Sequence, residues 1–138
     1  MFSRTIGGVL IILWAAGVAA QHERSVKEGV YTETQSKRGR MVYLEFCANC
    51  HGDFAEGIDM SPGLTGPTFS SNWTTFTVGD LYDRIRMTMP SDRPGVLTPQ
   101  QNADVIAYIL DINQYPAAQT ELPSTVAPLK MIRIEAAQ

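Results

Sequence analysis

Both cysteines of the chain fall in one five-residue run, Cys47-Ala-Asn-Cys50-His51. That run constrains the fold more than any other feature. Two thiols three positions apart at a helix end can each reach one vinyl group of a haem macrocycle and form a thioether. A histidine directly after the second cysteine then projects over the ring face toward the iron. The spacing suits covalent and coordinate attachment together, and it implies one haem c held by Cys47 and Cys50, with His51 as an iron ligand.

Other uses of the same residues fit less well. A thioredoxin-like dithiol needs a preceding strand and a βαβ context, and neither is legible here. A structural zinc site needs four closed ligands; the only other histidine is His22, and there is no third cysteine. A plain disulfide would leave the Gly/Pro-rich segment after the motif with nothing to wrap.

The 138 residues predict one domain, and the two cysteines exclude a disulfide framework. A formal net charge of −3 gives no basic surface for phosphate, so no nucleic-acid partner is expected. Residues 1–20 read as a secretory signal: Arg4, an apolar stretch from Ile6 to Trp14, then small residues up to Ala20, with cleavage before Gln21. The competing reading is an uncleaved anchor. The uncharged stretch is short for a span of roughly 20 apolar residues and is broken by Gly7, Gly8 and Gly17. The expectation is therefore an exported, periplasmic chain with no stable membrane span after cleavage.

Residues 21–31 are polar, without apolar periodicity, and are expected to be a loose lead-in. Thr32 and Gln35 match a capping box, and Met41, Tyr43, Leu44 and Cys47 follow at helical spacing, predicting a helix over 33–47. From His51 to Phe76 the glycines and prolines predict loop, which in a compact domain calls for something to bind. Thr77 caps a helix over 78–88, ended before Pro90. Thr98-Pro99-Gln100-Gln101 opens another, with Ala103, Ile106, Ala107 and Leu110 facing inward, ending near Asn113. Residues 32–115 form the expected domain. Residues 116–138 form a Pro-containing tail packed on it or on a partner, with strand-like alternation at Ile132 and Ile134. The expected class is all-α with long loops.

A low-spin iron takes a sixth ligand from across the ring. Met60 follows His51 too closely to travel round a macrocycle. Met87 points away from the Leu81–Ile85 stripe, whereas Met89 lies on it, beside Pro90. Ordinary core packing of Met89 stays open at this point, as does ligation by Met87 or, remotely, His22.

At these residues the sequence resembles a class I c-type cytochrome, over roughly Thr32 to Asn113. Gly39 and Tyr43 match the family's glycine and aromatic where the first helix crosses the last, and Tyr108 matches the aromatic they meet. Pro62-Gly-Leu64 resembles the segment whose proline carbonyl accepts the haem histidine's Nδ1 hydrogen and whose leucine packs on the ring. Met89-Pro90 resembles the family's ligand motif, and Trp73 stands where relatives often place a donor to a haem propionate. The run from Asp80 to Pro116 is most similar to small cytochromes serving periplasmic dehydrogenases, including quinoprotein alcohol dehydrogenases.

The resemblance implies a cytochrome c fold of three to four helices wrapped round one haem, and His51/Met89 ligation. It also implies a one-electron carrier between a periplasmic dehydrogenase and a respiratory acceptor, not an enzyme. A second methionine two residues before the expected ligand departs from the pattern. With no methionine bound, the same chain would be a five-coordinate gas sensor or peroxidase.

Overall fold

A computed structural model describes residues 22–137; the expected signal segment, 1–20, lies outside the described residues. Strand β1 (Arg24–Ser25) leads through a short 3-10 turn (Val26–Glu28) into helix α1 (Glu33–Phe46), followed by α2 (Ala48–His51) and α3 (Gly66–Trp73). Then come α4 (Val78–Thr88), α5 (Pro99–Ile112), α6 (Val126–Leu129) and strand β2 (Ile132–Arg133). Among the described residues four helices run for two turns or more, and the class is all-α. Among the described residues no helix is long and apolar enough to cross a membrane.

The helix starts follow from local chemistry. Thr32, Thr77 and Thr98 each sit in extended backbone and accept a hydrogen bond from the third residue of the helix they open. At Thr77 and Thr98 the capping box closes reciprocally through Asp80 and Gln101. Helix α4 stops at Met89, whose backbone turns extended ahead of Pro90.

Helices α1 and α5 cross at Gly39. A Cβ there would overlap the Asp104 carbonyl oxygen and meet the Tyr108 side chain, so only hydrogen fits. One turn on, Tyr43 and Tyr108 pack with ring centroids 5.2 Å apart at 52°. Arg38 closes the crossing from its rim. Its guanidinium grips the buried Asp104 carboxylate at 2.9 and 3.0 Å and Glu121 of the tail at 2.8 and 2.9 Å.

Two expectations are corrected. Residues 22–31 are not a loose lead-in: Val26, Val30 and Tyr31 are buried. The Ser25–Glu28 capping box orders the turn, and β1 pairs in parallel with β2 at the far end of the chain. The polar residues hid three anchors too sparse to show a period. Nor is 51–76 all loop, because Gly66–Trp73 is helical behind Thr65, with Pro67 in its first turn. The glycines and prolines that suggested loop include a helix-initiating proline.

The tail packs on its own domain. Leu122, Leu129, Ile132 and Ile134 are buried. The Ile134 amide donates to the Phe76 carbonyl at 2.8 Å, and its carbonyl accepts the Thr75 amide at 3.0 Å. The buried Gln35 side chain binds both backbone groups of Leu122, donating to its oxygen at 3.0 Å and accepting from its nitrogen at 2.7 Å. Lys130 bridges Asp80 (2.6 Å) and Asp83 (3.1 Å) on α4.

Two measurements test this architecture. Gly39→Ala must push two helix backbones apart and is expected to destabilise the folded domain by about 3 kcal/mol in denaturant unfolding. Acid stability should report on Lys130. Its ammonium, helped by the Thr77 hydroxyl and amide, holds the Asp80 carboxyl down to about 2. A carboxyl depressed on folding contributes stability above its unfolded pKa of about 3.9 and loses it as pH falls through the folded value. Lys130→Met should therefore unfold more readily than the wild type at pH 5–6, and the gap should close as pH approaches 2.

Candidate functional site

The motif begins where α1 ends. Cys47 caps α1 and, after it, one further turn, α2, carries Cys50 and His51. Both thiols are free; Cys50 is exposed, and Cys47 is half-buried beside the core. Burial, with the neighbouring Cys50 adding to it, pushes the Cys47 thiol up to about 11.

His51 is buried, and its ring is oriented by one bond: Nδ1 lies 2.8 Å from the Pro62 carbonyl oxygen. A carbonyl can only accept, so Nδ1 carries the proton and the lone pair is left on Nε2. The resemblance to the Pro-x-Leu segment implied this bond, and the structure contains it. The His51 carbonyl accepts the Gly57 amide at 2.8 Å. Leu64 donates its amide to Ala55 at 2.8 Å and stands half-buried against the core. The histidine is thus clamped at its ring and at its backbone.

Two residues complete this clamp in ways the sequence did not reveal. The hydroxyl of the buried Tyr43 donates to the Gly52 carbonyl at 2.7 Å, one residue past His51. Gly52 adopts φ +85° with the Glu56 carboxylate where a Cβ would stand. Asn113, at the C-terminal end of α5, donates through Nδ2 to Leu64 O (2.9 Å) and Ile109 O (2.8 Å) and accepts the Gly66 amide at 2.9 Å. Tyr43 was legible as a packing aromatic, but nothing in sequence announces its hydroxyl bond. Asn113 reads only as a helix end.

The methionines occupy different surroundings. Met60 and Met87 are exposed, at 97% and 61%. Met89 is half-buried, packed against the core, with its amide bonded to the Ile85 carbonyl at 2.9 Å. Trp73 ends α3, half-buried, edge-on to Phe76 with centroids 5.9 Å apart. Beside it, the buried Thr74 hydroxyl has no partner among the described residues. An orphaned hydroxyl costs about 1–3 kcal/mol, which an acceptor on a bound group would offset.

The residues present therefore fit a haem: two free thiols at vinyl spacing, an imidazole with its second nitrogen committed, and a partly buried thioether. Among the described residues no group of three or more His, Cys, Asp and Glu side chains could hold a metal ion by itself.

Comparison with known proteins agrees. Residues 34–109 match the family described as cytochrome c oxidase, cbb3-type, subunit III. No curated protein matches the chain. Among solved structures, a chain in the crystal structure of the sulfane dehydrogenase SoxCD from Paracoccus pantotrophus is similar, with 22% identity and a TM-score of 0.49. The match covers 79% of this chain and 60% of that one, so this chain spans less than two thirds of its neighbour's length. The family match runs from the first turn of α1 through the haem motif into α5, over more than half of the sequence. The chain accordingly belongs to that family as a monohaem c-type cytochrome bearing covalent haem c.

Proposed function

We propose that this chain is an exported, periplasmic carrier with His51 and Met89 as axial ligands, taking single electrons from a dehydrogenase and passing them to a respiratory acceptor. The observation that carries the reading is the 2.8 Å bond from His51 Nδ1 to Pro62 O, which leaves Nε2 as the donor atom beside two free thiols. Bound haem c supplies an iron that alternates between Fe(III) and Fe(II) and so stores one electron.

The chain's residues set the conditions for that exchange. The Pro62 carbonyl raises the basicity of the His51 imidazole and fixes its plane. The Met89 thioether, as a soft donor to the iron, would favour the lower charge state and so raise the potential. Leu64, half-buried against the core, would help shield the bound group from water, and a low dielectric would disfavour its more highly charged state. Two side-chain ligands leave no position for a substrate, in keeping with a carrier. The redox partners are proposed on that role. The dehydrogenase rests on the resemblance of the 80–116 run to cytochromes of that kind, and the periplasmic location on the signal pattern of residues 1–20. Contact with such partners is expected to be small and transient, below about 1,200 Å².

The ligand assignment is tested with carbon monoxide. Ferrous holoprotein should resist CO, Met89→Ala should bind it and show a lower midpoint potential, and Met87→Ala should behave as wild type. If Met87→Ala alone opens the site, Met87 is the ligand. If unmutated protein binds CO readily, the five-coordinate sensor or peroxidase reading replaces this one. Separately, Cys47→Ser/Cys50→Ser should leave the polypeptide without haem that survives denaturing electrophoresis, read by haem-dependent peroxidase staining.

A further inference from the structure

From Met41 to Asp83 the chain has no lysine or arginine, yet it carries Glu45, Asp53, Glu56, Asp59, Asp80 and Asp83. Two of these are neutralised at home, Asp80 by Lys130 and Asp83 by Lys130 and Arg86. The other four are exposed and form no ion pair among the described residues. All four flank the haem motif. The cation that the structure does bring to the motif, Arg93 stacked over Phe46 at 5.7 Å, is paired with Asp92. Lys37 and Arg40 lie ten and seven residues back along α1 from Cys47.

The same segment exposes large apolar side chains. Phe54 is 83% exposed, Ile58 is 45% exposed, and Met60 stands clear of the fold. These side chains stand on a built loop. The Phe54 amide donates to Glu56 Oε2 at 3.0 Å, Ser61 to the Ile58 carbonyl at 2.9 Å, and Gly57 to His51 itself at 2.8 Å. Three large apolar side chains within seven residues, held outward by an ordered backbone and rimmed by unpaired carboxylates, have the composition of an interface: an apolar centre with a charged rim.

We propose that residues 53–60, with Glu45, form a docking face for a redox protein that presents an apolar centre ringed by lysine and arginine. The inference rests on the electron-carrier reading and names the partner chemistry for it. The carboxylates orient the encounter, and Phe54, Ile58 and Met60 hold the complex once formed. The electron leaves or enters beside the loop bonded to His51, with one electron lost by the donor for each one gained by the acceptor.

The test uses ¹⁵N-labelled ferric holoprotein titrated with a basic mitochondrial cytochrome c, also ferric, so that no electron moves. Amide shifts should centre on residues 45–60 and fade as salt rises to about 0.3 M, where exposed charges are screened. Asp53→Asn/Glu56→Gln/Asp59→Asn should weaken association about tenfold and flatten its salt dependence. The control Glu23→Gln/Glu33→Gln/Glu135→Gln, with the same net charge change, should do neither. Phe54→Ser should weaken association and leave the salt dependence intact. Shifts centred elsewhere, equal effects of the two triple variants, or no association at low salt would each overturn the proposal. A separate arm mixes ferric holoprotein with hexaammineruthenium(II). Failure to take up an electron there counts against the carrier reading itself, whereas reduction with no localised association counts against the docking face alone.

Discussion

The close crossing of α1 and α5 at Gly39 is the constraint on which the rest depends. Two helix backbones approach until no Cβ can stand between them, and this fixes what lies at either end. Toward its C-terminus, α1 delivers Tyr43 and then the cysteine pair. At the end of α5, Asn113 reaches the carbonyl of Leu64. The residue after His51 is therefore tied to the helix before the motif, and the segment carrying the His51 acceptor to the helix that crosses it. The local loss of helix propensity at a mid-helix glycine, about 1 kcal/mol, is offset by the packing it permits.

Much of this was legible. The helix boundaries at Thr32, Thr77 and Thr98 follow from hydroxyl caps whose preferred partners lie three residues away, so local sequence contains the whole interaction. The cysteine–histidine run and the Pro62 acceptor were legible for a related reason, because covalent spacing and a recurrent short segment carry the chemistry. What escaped is non-local. Gln35 looks like the far half of a capping box, but its side chain does not return to Thr32 and instead clamps Leu122, 87 residues away. The burial of Val26, Val30 and Tyr31 depends on a strand supplied by the other end of the chain. No window of neighbouring residues contains that information. Helix α3 was missed because Gly66 and Pro67 punctuate a loop and open a helix with the same letters.

The two termini of the described chain close on each other. β1 pairs with β2, the hydroxyl of Tyr31 donates to the Tyr115 carbonyl at 2.6 Å, and the amide of Ala118 donates to the carbonyl of Tyr31. Desolvation, with the Asp111 carboxylate adding to it, pushes the Tyr31 hydroxyl well above its ordinary range, so it stays a donor. A chain with a small core of its own gains stability by recruiting both ends. The apolar tail residues Leu122, Leu129, Ile132 and Ile134 are spent on this closure, while the polar residues between them stay at the surface.

That division of labour bears on how such a carrier exchanges electrons. Rearrangement on gaining or losing charge slows transfer, so the groups around the iron should already stand where both charge states need them. On the histidine side they do: ring, backbone carbonyl and the following glycine are each held by a separate bond, to Pro62, Gly57 and Tyr43. On the proposed methionine side the restraint is lighter, one amide bond to Ile85 and half-buried packing. Adjustment between the two oxidation states should therefore concentrate at Met89. The loop proposed as the docking face is bonded to the His51 carbonyl through the Gly57 amide, so contacts at Phe54 and Met60 would bear on the more tightly held side.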